Sequence, residues 1–287
     1  MHGDWVEADG TRLYVRRWGR ADGSPLLFLH SMGAAASAAL IDVGMAPLVE
    51  AGWSIAAPDM PGYGEAPVIP AEDYEIPRLA DLAVKLADAL GWRRFVLGGH
   101  SWGGAIAVHV AAAHPERVRA LLLVDSGHID YADDPNGDMT KTLRETIEDA
   151  EGKRIRVRDR AEVASDLELD IDDPIVDSYM AGLMDDGEGG LISRTGGPAR
   201  GASMYYLMRS RQTEQWPAIA AANVPTLLLL ATVPEDRLAE NQAGAAAFSA
   251  AIPKADVRFV EGVSHSLITD MRDRFGQTVR DWLATLD

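Results

Sequence analysis

Residues 93–105 read RRFVLGGHSWGGA. In this stretch an apolar run is followed by two glycines, His100, Ser101, Trp102 and two more glycines. The next residues, 106–114, read IAVHVAAAH and favour a helix. The pattern therefore predicts a strand–turn–helix unit with Ser101 at the turn. A turn this tight strains the backbone of the serine and requires residues without side chains two positions before and after it.

The remainder of the chain alternates between strand and helix patterns. The predicted strands are Trp5–Ala8, Arg12–Trp18, Leu26–His30, Ser54–Pro58, Phe95–Gly99, Val118–Asp125, Thr226–Thr232 and Val257–Val260. The predicted helices between them are Ala34–Ala51, Pro77–Leu90, Gly103–His114, Glu240–Ala251 and Met271–Leu286. The later strands are near-continuous apolar runs, as in sheets buried on both faces. This order predicts an α/β fold with a mostly parallel eight-stranded sheet flanked by helices, opened by a hairpin around Asp9-Gly10.

The alternation stops between Ser126 and Gln215, where no strand is predicted. The helical patterns of this segment, separated by Asp-, Gly- and Pro-rich joints, are Lys141–Glu151, Arg160–Leu169 and Pro174–Met184. We predict a core of residues 1–126 and 216–287, with a helical cap of residues 127–215 inserted after the sixth strand. Such a cap would lie over the carboxyl ends of the strands, where α/β sheets bind ligands.

Composition narrows the classes of partner. The formal charge is −17, which disfavours nucleic acid, and residues 127–190 carry 19 acidic and 7 basic side chains. A solvated acidic lobe explains this segment more simply than attraction of cationic substrates. Cysteine is absent, so disulfides, thiol catalysis and cysteine-bound metals are excluded. No metal-binding or cofactor-binding motif occurs, and neither a membrane-length apolar run nor a signal peptide is seen, so we expect no cofactor, no membrane contact and a cytoplasmic location.

Ser101 has the sequence context of a nucleophile elbow, because Gly-x-Ser-x-Gly stands between a strand and a helix. A nucleophilic serine needs a base, and His265 lies in a glycine-containing loop between the last strand and the last helix, from which it reaches the same sheet edge. His100 neighbours the serine, but its side chain is expected to point away from that of Ser101. The N–H of Trp102, at the start of the helix, points to where an oxyanion would form.

In the order of its predicted elements and in four short motifs, the chain resembles the α/β-hydrolase fold enzymes over nearly its whole length. The matching stretches are HSMG at 30–33, DMPGYG at 59–64, GHSWGG at 99–104 and GVSH at 262–265. The resemblance implies a cofactor-independent serine hydrolase whose catalytic Ser, acid and His follow in that order. It also implies an oxyanion hole shared between the residue after the serine and a His-Gly loop. Here that loop reads His30-Ser31, so the second donor is expected to be the N–H of Met32, or else that of Ser31.

The identity of the catalytic acid is less clear from the sequence. Members of this family usually carry it soon after the seventh strand, where this chain reads LATVPEDR at 230–237, with Pro234 at the expected position. Asp236 and Glu235 could serve only if that loop shifts. Some families of this fold take the acid from the end of the sixth strand, and Asp125 ends the apolar run LLLVD. A partly desolvated carboxylate suits a group that orients a histidine, so Asp125 is favoured, with Asp236 and Glu235 as alternatives.

The expected reaction follows from the nucleophile. Serine, unlike aspartate, suits attack on an acyl carbonyl, so a small-molecule carboxylic ester or lactone is the favoured substrate. Proline-iminopeptidase-like chemistry, carbon–carbon bond hydrolysis and cofactor-free perhydrolysis remain alternatives, as does a ligand-binding member of the fold with low turnover. A homodimer through the cap or an exposed helix is left open. Two interpretations remain for Met204, Tyr205, Tyr206 and Met208: they face the substrate, or, as is more usual for Met and aromatic clusters, they belong to the core.

Overall fold

The computed structural model describes residues 2–33, 38–133 and 138–286. Its strands, in chain order, are β1 (His2–Ala8), β2 (Thr11–Trp18), β3 (Ser24–Leu29), β4 (Trp53–Asp59), β5 (Phe95–His100), β6 (Val118–Val124), β7 (Arg156–Val157), β8 (Leu183–Asp185), β9 (Leu191–Ser193), β10 (Thr226–Ala231) and β11 (Ala255–Val260). Its α-helices are α1 (Ala46–Glu50), α2 (Ile76–Ala89), α3 (Trp102–Ala113), α4 (Leu143–Gly152), α5 (Arg160–Asp166), α6 (Pro174–Ala181), α7 (Gly197–Leu207), α8 (Trp216–Ala221), α9 (Leu238–Ala251), α10 (Leu267–Met271) and α11 (Asp273–Leu283).

Eight of the strands form one sheet in the order β1-β2-β4-β3-β5-β6-β10-β11. The β1–β2 and β2–β4 pairs are antiparallel and the pairs from β4 onward are parallel. The β1–β2 hairpin turns at Asp9 and Gly10, whose φ angles of 51° and 76° are the left-handed pair that an Asp-Gly turn adopts. The predicted fold class, with a mostly parallel eight-stranded sheet, is confirmed.

Helices cover both faces of this sheet, which is why its central strands are mostly apolar and mostly buried. In β3, Leu27 and Leu29 pack on the face covered by α2, α3, α8 and α9, while Leu26 and Phe28 pack on the face covered by α1, α10 and α11. Successive strand residues point to opposite faces, so a strand buried on both sides cannot alternate between apolar and polar residues. Each such leucine contributes about 1.5–3 kcal/mol by its burial.

The described part of residues 127–215 contains four α-helices, α4 to α7, and it also contains a small sheet that the sequence did not predict. Its strands run antiparallel in the order β7-β9-β8. The prediction of no strand in this segment was therefore wrong. Strands of two or three residues are too short to show an alternating pattern, and the joint DDGEGG at 185–190 is the turn of a hairpin rather than a helix end.

Helix α7 joins this inserted segment to the core. It packs against α4, where a Cβ added at Gly201 would stand 2.4 Å from the Ile147 Cα, so glycine permits the close approach. On the core side, a Cβ added at Gly62 would stand 2.3 Å from the Ala199 Cβ, which places α7 directly on the loop after β4. The acidic residues of the segment partly cap its helices, since the side chains of Asp159 and Asp173 accept N–H groups at the starts of α5 and α6.

Other differences from the predicted elements are local. The helix predicted at 34–51 is a 3₁₀-helix at Ala38–Gly44 followed by α1, and residues 34–37 lie outside the described residues. The last predicted helix, Met271–Leu286, corresponds to α11; α10, which precedes it and is separated from it by Arg272 with φ 47°, was not predicted. Helices α7 and α8 were not predicted; α7 begins with Gly-Pro, a pair that is more typical of a turn than of a helix.

Candidate active site

Ser101 stands at the turn between β5 and α3 with φ 54° and ψ −120°. This conformation is rare for a residue with a side chain and costs on the order of 1–3 kcal/mol. The neighbouring glycines explain how the turn closes. A Cβ at Gly99 would stand 2.3 Å from the Gly103 carbonyl oxygen, and a Cβ at Gly103 would stand 2.3 Å from the carbonyl oxygen of Leu29. Only glycine at these two positions lets β5, α3 and the end of β3 approach this closely.

Hydrogen bonds from the adjacent strand end hold the strained serine. The Ser101 N–H donates to the carbonyl oxygen of Val124 (3.0 Å). The fully buried Ser126 donates from its hydroxyl to the carbonyl oxygen of Ser101 (2.6 Å), and Tyr131 OH lies 3.0 Å from the same hydroxyl. These hydrogen bonds hold the turn from several sides, and a strained backbone conformation persists only where its surroundings hold it in this way.

His265 lies in the loop between β11 and α10, and its Nδ1 is 2.6 Å from Oδ2 of Asp125. The second oxygen of Asp125, Oδ1, accepts the N–H of Ala231 (2.9 Å). Because a carboxylate only accepts, the proton of the neutral imidazole is on Nδ1, and Nε2 is left as an acceptor. This is the tautomer that a general base needs.

The electrostatics of Asp125 fit this arrangement. Burial by itself raises the pKa of the Asp125 carboxyl, but the hydrogen bonds from His265 and from the Ala231 N–H outweigh burial and bring the pKa below its usual value. Because its pKa is lowered, the carboxyl is charged at neutral pH, although its side chain is only 10% exposed. Its backbone has φ 46°, in the left-handed region that Asp adopts more readily than most residues, which turns the side chain from the end of β6 toward His265.

The two other candidate acids occupy a different position. Glu235 and Asp236 lie in a short 3₁₀-helix, Glu235–Arg237, after β10, and both are exposed. The carboxylate that the structure brings to His265 is that of Asp125.

His100 contacts the His265 loop, which the sequence did not predict. Its Nε2 donates to the backbone oxygen of His265 (2.7 Å), and the two ring centroids are 5.0 Å apart. Burial, and then the neighbouring His265, lower the pKa of His100 to about 3, so the ring is neutral and its proton serves this hydrogen bond. Sequence inspection offers no signal for a contact between residues 165 positions apart.

The backbone groups considered as oxyanion donors lie at the same sheet edge. Trp102 is the first residue of α3, whose first N–H groups have no acceptor within the helix. Ser31 and Met32 follow the end of β3, against which α3 begins. His30 fixes this loop: its Nδ1 donates to the Ser31 carbonyl oxygen (2.7 Å), and its Nε2 accepts the N–H of Met60 (3.0 Å). Buried hydrogen bonds thus stabilise a loop in which serine replaces the family's glycine.

A cavity of about 380 Å³ opens at this edge. Its lining includes Ser101, Asp125 and His265 together with an apolar wall from Ile129, Met204, Leu207, Met208, Ala231, Val233 and Pro234 and the polar residues His128, Tyr131, Arg237 and Asn241. Met204 and Met208, for which the sequence left a substrate-facing and a core interpretation, line the cavity. The side chain of Trp102 does not line it, because it is fully buried against Tyr63 with ring centroids 5.1 Å apart.

Among the described residues, no three His, Asp or Glu side chains are grouped as metal ligands would be. Over the same ranges, no helix has the length and apolar character needed to cross a membrane.

Comparison with known proteins agrees with this architecture. The family model of the alpha/beta hydrolase fold matches residues 24–167. The chain belongs to this family. Among solved structures, this alpha/beta hydrolase superimposes on a thioesterase domain from a curacin biosynthetic pathway with a TM-score of 0.75, 18% sequence identity and 99% coverage of both chains, a likeness that shows the fold.

Curated relatives match only part of the chain. It is 34% identical over 125 residues to a candidate non-heme haloperoxidase of Mycobacterium phage D29, over 44% of this chain and 43% of that protein. It is 33% identical over 126 residues to a lipase of Mycobacterium tuberculosis, over 44% of this chain and 46% of the lipase. The aligned part thus spans less than half the length of these relatives.

Proposed function

We propose that this alpha/beta hydrolase cleaves a carboxylic ester or lactone through an acyl-enzyme on Ser101. The observation that carries the proposal is the 2.6 Å hydrogen bond between His265 Nδ1 and Asp125, which leaves Nε2 as an acceptor in the cavity that Ser101 also lines. An unprotonated ring nitrogen that shares a cavity with a partly buried serine on a strained turn fits nucleophilic serine catalysis.

The proposed reaction has two halves. His265 Nε2 takes the proton of Ser101 as Oγ bonds to the carbonyl carbon, and the negative charge moves to the carbonyl oxygen. The backbone N–H groups of Trp102 and of Met32, or else Ser31, bind that oxyanion. The bond to the leaving alkoxide then breaks and His265 protonates it, so an alcohol departs. Water, deprotonated by His265, attacks the acyl-enzyme in the same way and releases the acid while Ser101 regains its proton.

Asp125 and His100 have distinct proposed roles. Asp125 keeps the Nδ1 proton in place and stabilises the imidazolium that forms during each half-reaction. His100 acts as a positioning residue, because its hydrogen bond to the His265 backbone oxygen fixes the loop that carries the base. Neither residue needs to touch the substrate.

The cavity favours an ester or lactone over an aminoacyl substrate. Its wall is largely apolar, and the carboxylate among its lining residues is Asp125, which faces His265. A free α-amino group would therefore meet no other carboxylate among the described lining residues, which weakens the proline-iminopeptidase alternative. The lipase among the relatives supports ester chemistry. Residues 127–215 are proposed to act as the cap, since α7 and the residue directly after it supply Met204, Leu207 and Met208 to the wall.

A fluorophosphonate probe tests the proposal without knowledge of the substrate. Intact-mass analysis of the wild type should show one adduct, and Ser101→Ala should show none. Ser249→Ala, which removes an exposed hydroxyl from α9, is the matched control and should label like the wild type. Labelled preparations then go to a panel of 4-nitrophenyl esters, lactones and a proline anilide. An unlabelled folded wild type, or labelling that survives Ser101→Ala, would refute the assignment of the nucleophile.

A further inference from the structure

A second cavity, of about 330 Å³, lies between α4 and α7. Met204 on α7 and Met208, the residue directly after α7, line both this cavity and the one that contains Ser101. The two cavities therefore meet at a wall of two methionines. Thioether side chains rotate easily and adapt to extended apolar chains, so this wall suits a chain that runs from one cavity into the other.

The charge of the second cavity is opposite to that of its surroundings. Its lining includes four cationic side chains, Lys141, Lys153, Arg200 and Arg209, and two acidic ones, Asp138 and Asp149. The local excess is positive, although residues 127–190 are strongly acidic. Lys141 is neutralised by Asp149 and lies 3.9 Å from Asp138, so the acids of the cavity are engaged by one lysine.

Neither arginine has a carboxylate partner within residues 2–33, 38–133 and 138–286. Arg209 donates to the backbone oxygens of Tyr205, Met139 and Lys141, and its guanidinium lies 3.6 Å from the centre of the Tyr205 ring. Arg200 is partly buried, and its Nη1 is fully buried with no hydrogen-bond acceptor in the described part of the chain. No ion pair found among the described residues includes it. A partly buried guanidinium without a counter-ion is costly, so a negative charge in this cavity would be stabilised.

We propose that this cavity binds an anionic group at the far end of the substrate. The carbonyl carbon then lies at Ser101, the chain crosses Met204 and Met208, and a terminal carboxylate or phosphate pairs with Arg200. The substrate class is an ester with an anionic terminus. This inference rests on the proposed function for its ester bond, but the anion site itself depends only on the cavity.

Matched esters test the preference. The 4-nitrophenyl monoesters of succinate, adipate and suberate are compared with those of butanoate, hexanoate and octanoate, which have the same chain lengths and end in a methyl group. At the best length, kcat/KM should favour the anionic ester by about tenfold or more, as a hydrogen-bonded charge pair is worth at least that. Arg200→Gln should bring the ratio toward one, and Arg200→Lys should restore part of it. Arg144→Gln, on the exposed side of α4, is the control and should leave the ratio unchanged.

A binding measurement separates this proposal from the proposed function. Titration calorimetry of Ser101→Ala with suberate and with octyl phosphate should show binding that Arg200→Gln, introduced into the same variant, weakens about tenfold, and the two ligands show which anion is preferred. Binding that depends on Arg200 without hydrolysis of any ester would refute the proposed function and leave the anion site standing. Hydrolysis without preference for the anionic esters, or equal binding with and without Arg200, would overturn the anion site.

Discussion

Replacing Asp125 by asparagine isolates the contribution of the proposed catalytic acid. Asparagine tolerates the left-handed backbone at this position (φ 46°), so the fold should survive. The Ala231 N–H, 2.9 Å from Oδ1, selects the amide oxygen as its acceptor. The amide NH₂ then faces His265 Nδ1, which must become an acceptor, and the imidazole proton moves to Nε2. The ring is left in the tautomer that cannot take a proton from Ser101.

The magnitude follows from two losses. A hydrogen bond to a charged group is worth about 1.5–3 kcal/mol, which corresponds to a rate loss of roughly 10- to 150-fold at about 1.4 kcal/mol for each factor of ten. The wrong tautomer accounts for the rest, because replacing the acid of such a triad by asparagine costs about 10⁴-fold in kcat in total. We expect Asp125→Asn to lower kcat by about 10³- to 10⁴-fold, with a much smaller change in KM.

The assay is steady-state hydrolysis of the best 4-nitrophenyl ester, with thermal unfolding as a check that each variant is folded. Asp236→Asn is the matched control, because Asp236 is an exposed carboxylate near the same cavity and should lose less than twofold. A folded Asp125→Asn enzyme within tenfold of the wild type would refute the reasoning. Equal losses in the two variants would show that the geometry of Asp125 has no special role.

Three further outcomes are expected. His100→Phe removes the donor to the His265 backbone oxygen at similar volume, so kcat should fall about tenfold or more with KM nearly constant in steady-state kinetics; an unchanged kcat would exclude the positioning role. Gly103→Ala should lower the free energy of unfolding in urea by more than about 2 kcal/mol, because its Cβ would stand 2.3 Å from the carbonyl oxygen of Leu29. Gly152→Ala, with open space around it, should change this free energy by less than about 1 kcal/mol. Similar losses in both variants would contradict the steric argument. Burial lowers the pKa of His109 to about 4, so its neutral form contributes stability above pH 6.5, the ordinary pKa, and this contribution is lost as the pH falls toward 4. In His109→Leu, the free energy of unfolding should therefore fall less steeply between these pH values, by up to about 1.4 kcal/mol per pH unit. Parallel pH curves for the two proteins would argue against the lowered pKa.

Much of the fold could be read from local patterns. The apolar run before Ser101 and the helix after it have the bounds of β5 and α3 to within a residue or two, since both elements depend on neighbouring residues along the chain. The same holds for the hairpin at Asp9-Gly10. The short strands β7 to β9 could not be read in this way, because their stability comes from pairing with one another rather than from any periodicity of their own.

The candidate site also contains some residues that local sequence specifies and others that only the fold brings together. Ser101 and the glycines around it are specified locally, because the strained turn admits only small residues at fixed spacing. The choice among Asp125, Asp236 and Glu235 depends on which loop reaches His265, and the sequence could only rank them. Asp125 and His265 are 140 residues apart, and they meet because β6, β10 and β11 are adjacent in the sheet and end at one edge.

The sequence by itself determined the fold class, the family and the strained serine turn, since each is written in short-range patterns of apolar residues and glycines. Only the tertiary structure decided which carboxylate faces His265, that His100 holds the loop of that histidine, and that two cavities meet at Met204 and Met208. These features depend on distances between elements that are remote in the chain. Such distances are set by strand order and helix packing, which no local pattern of residues encodes.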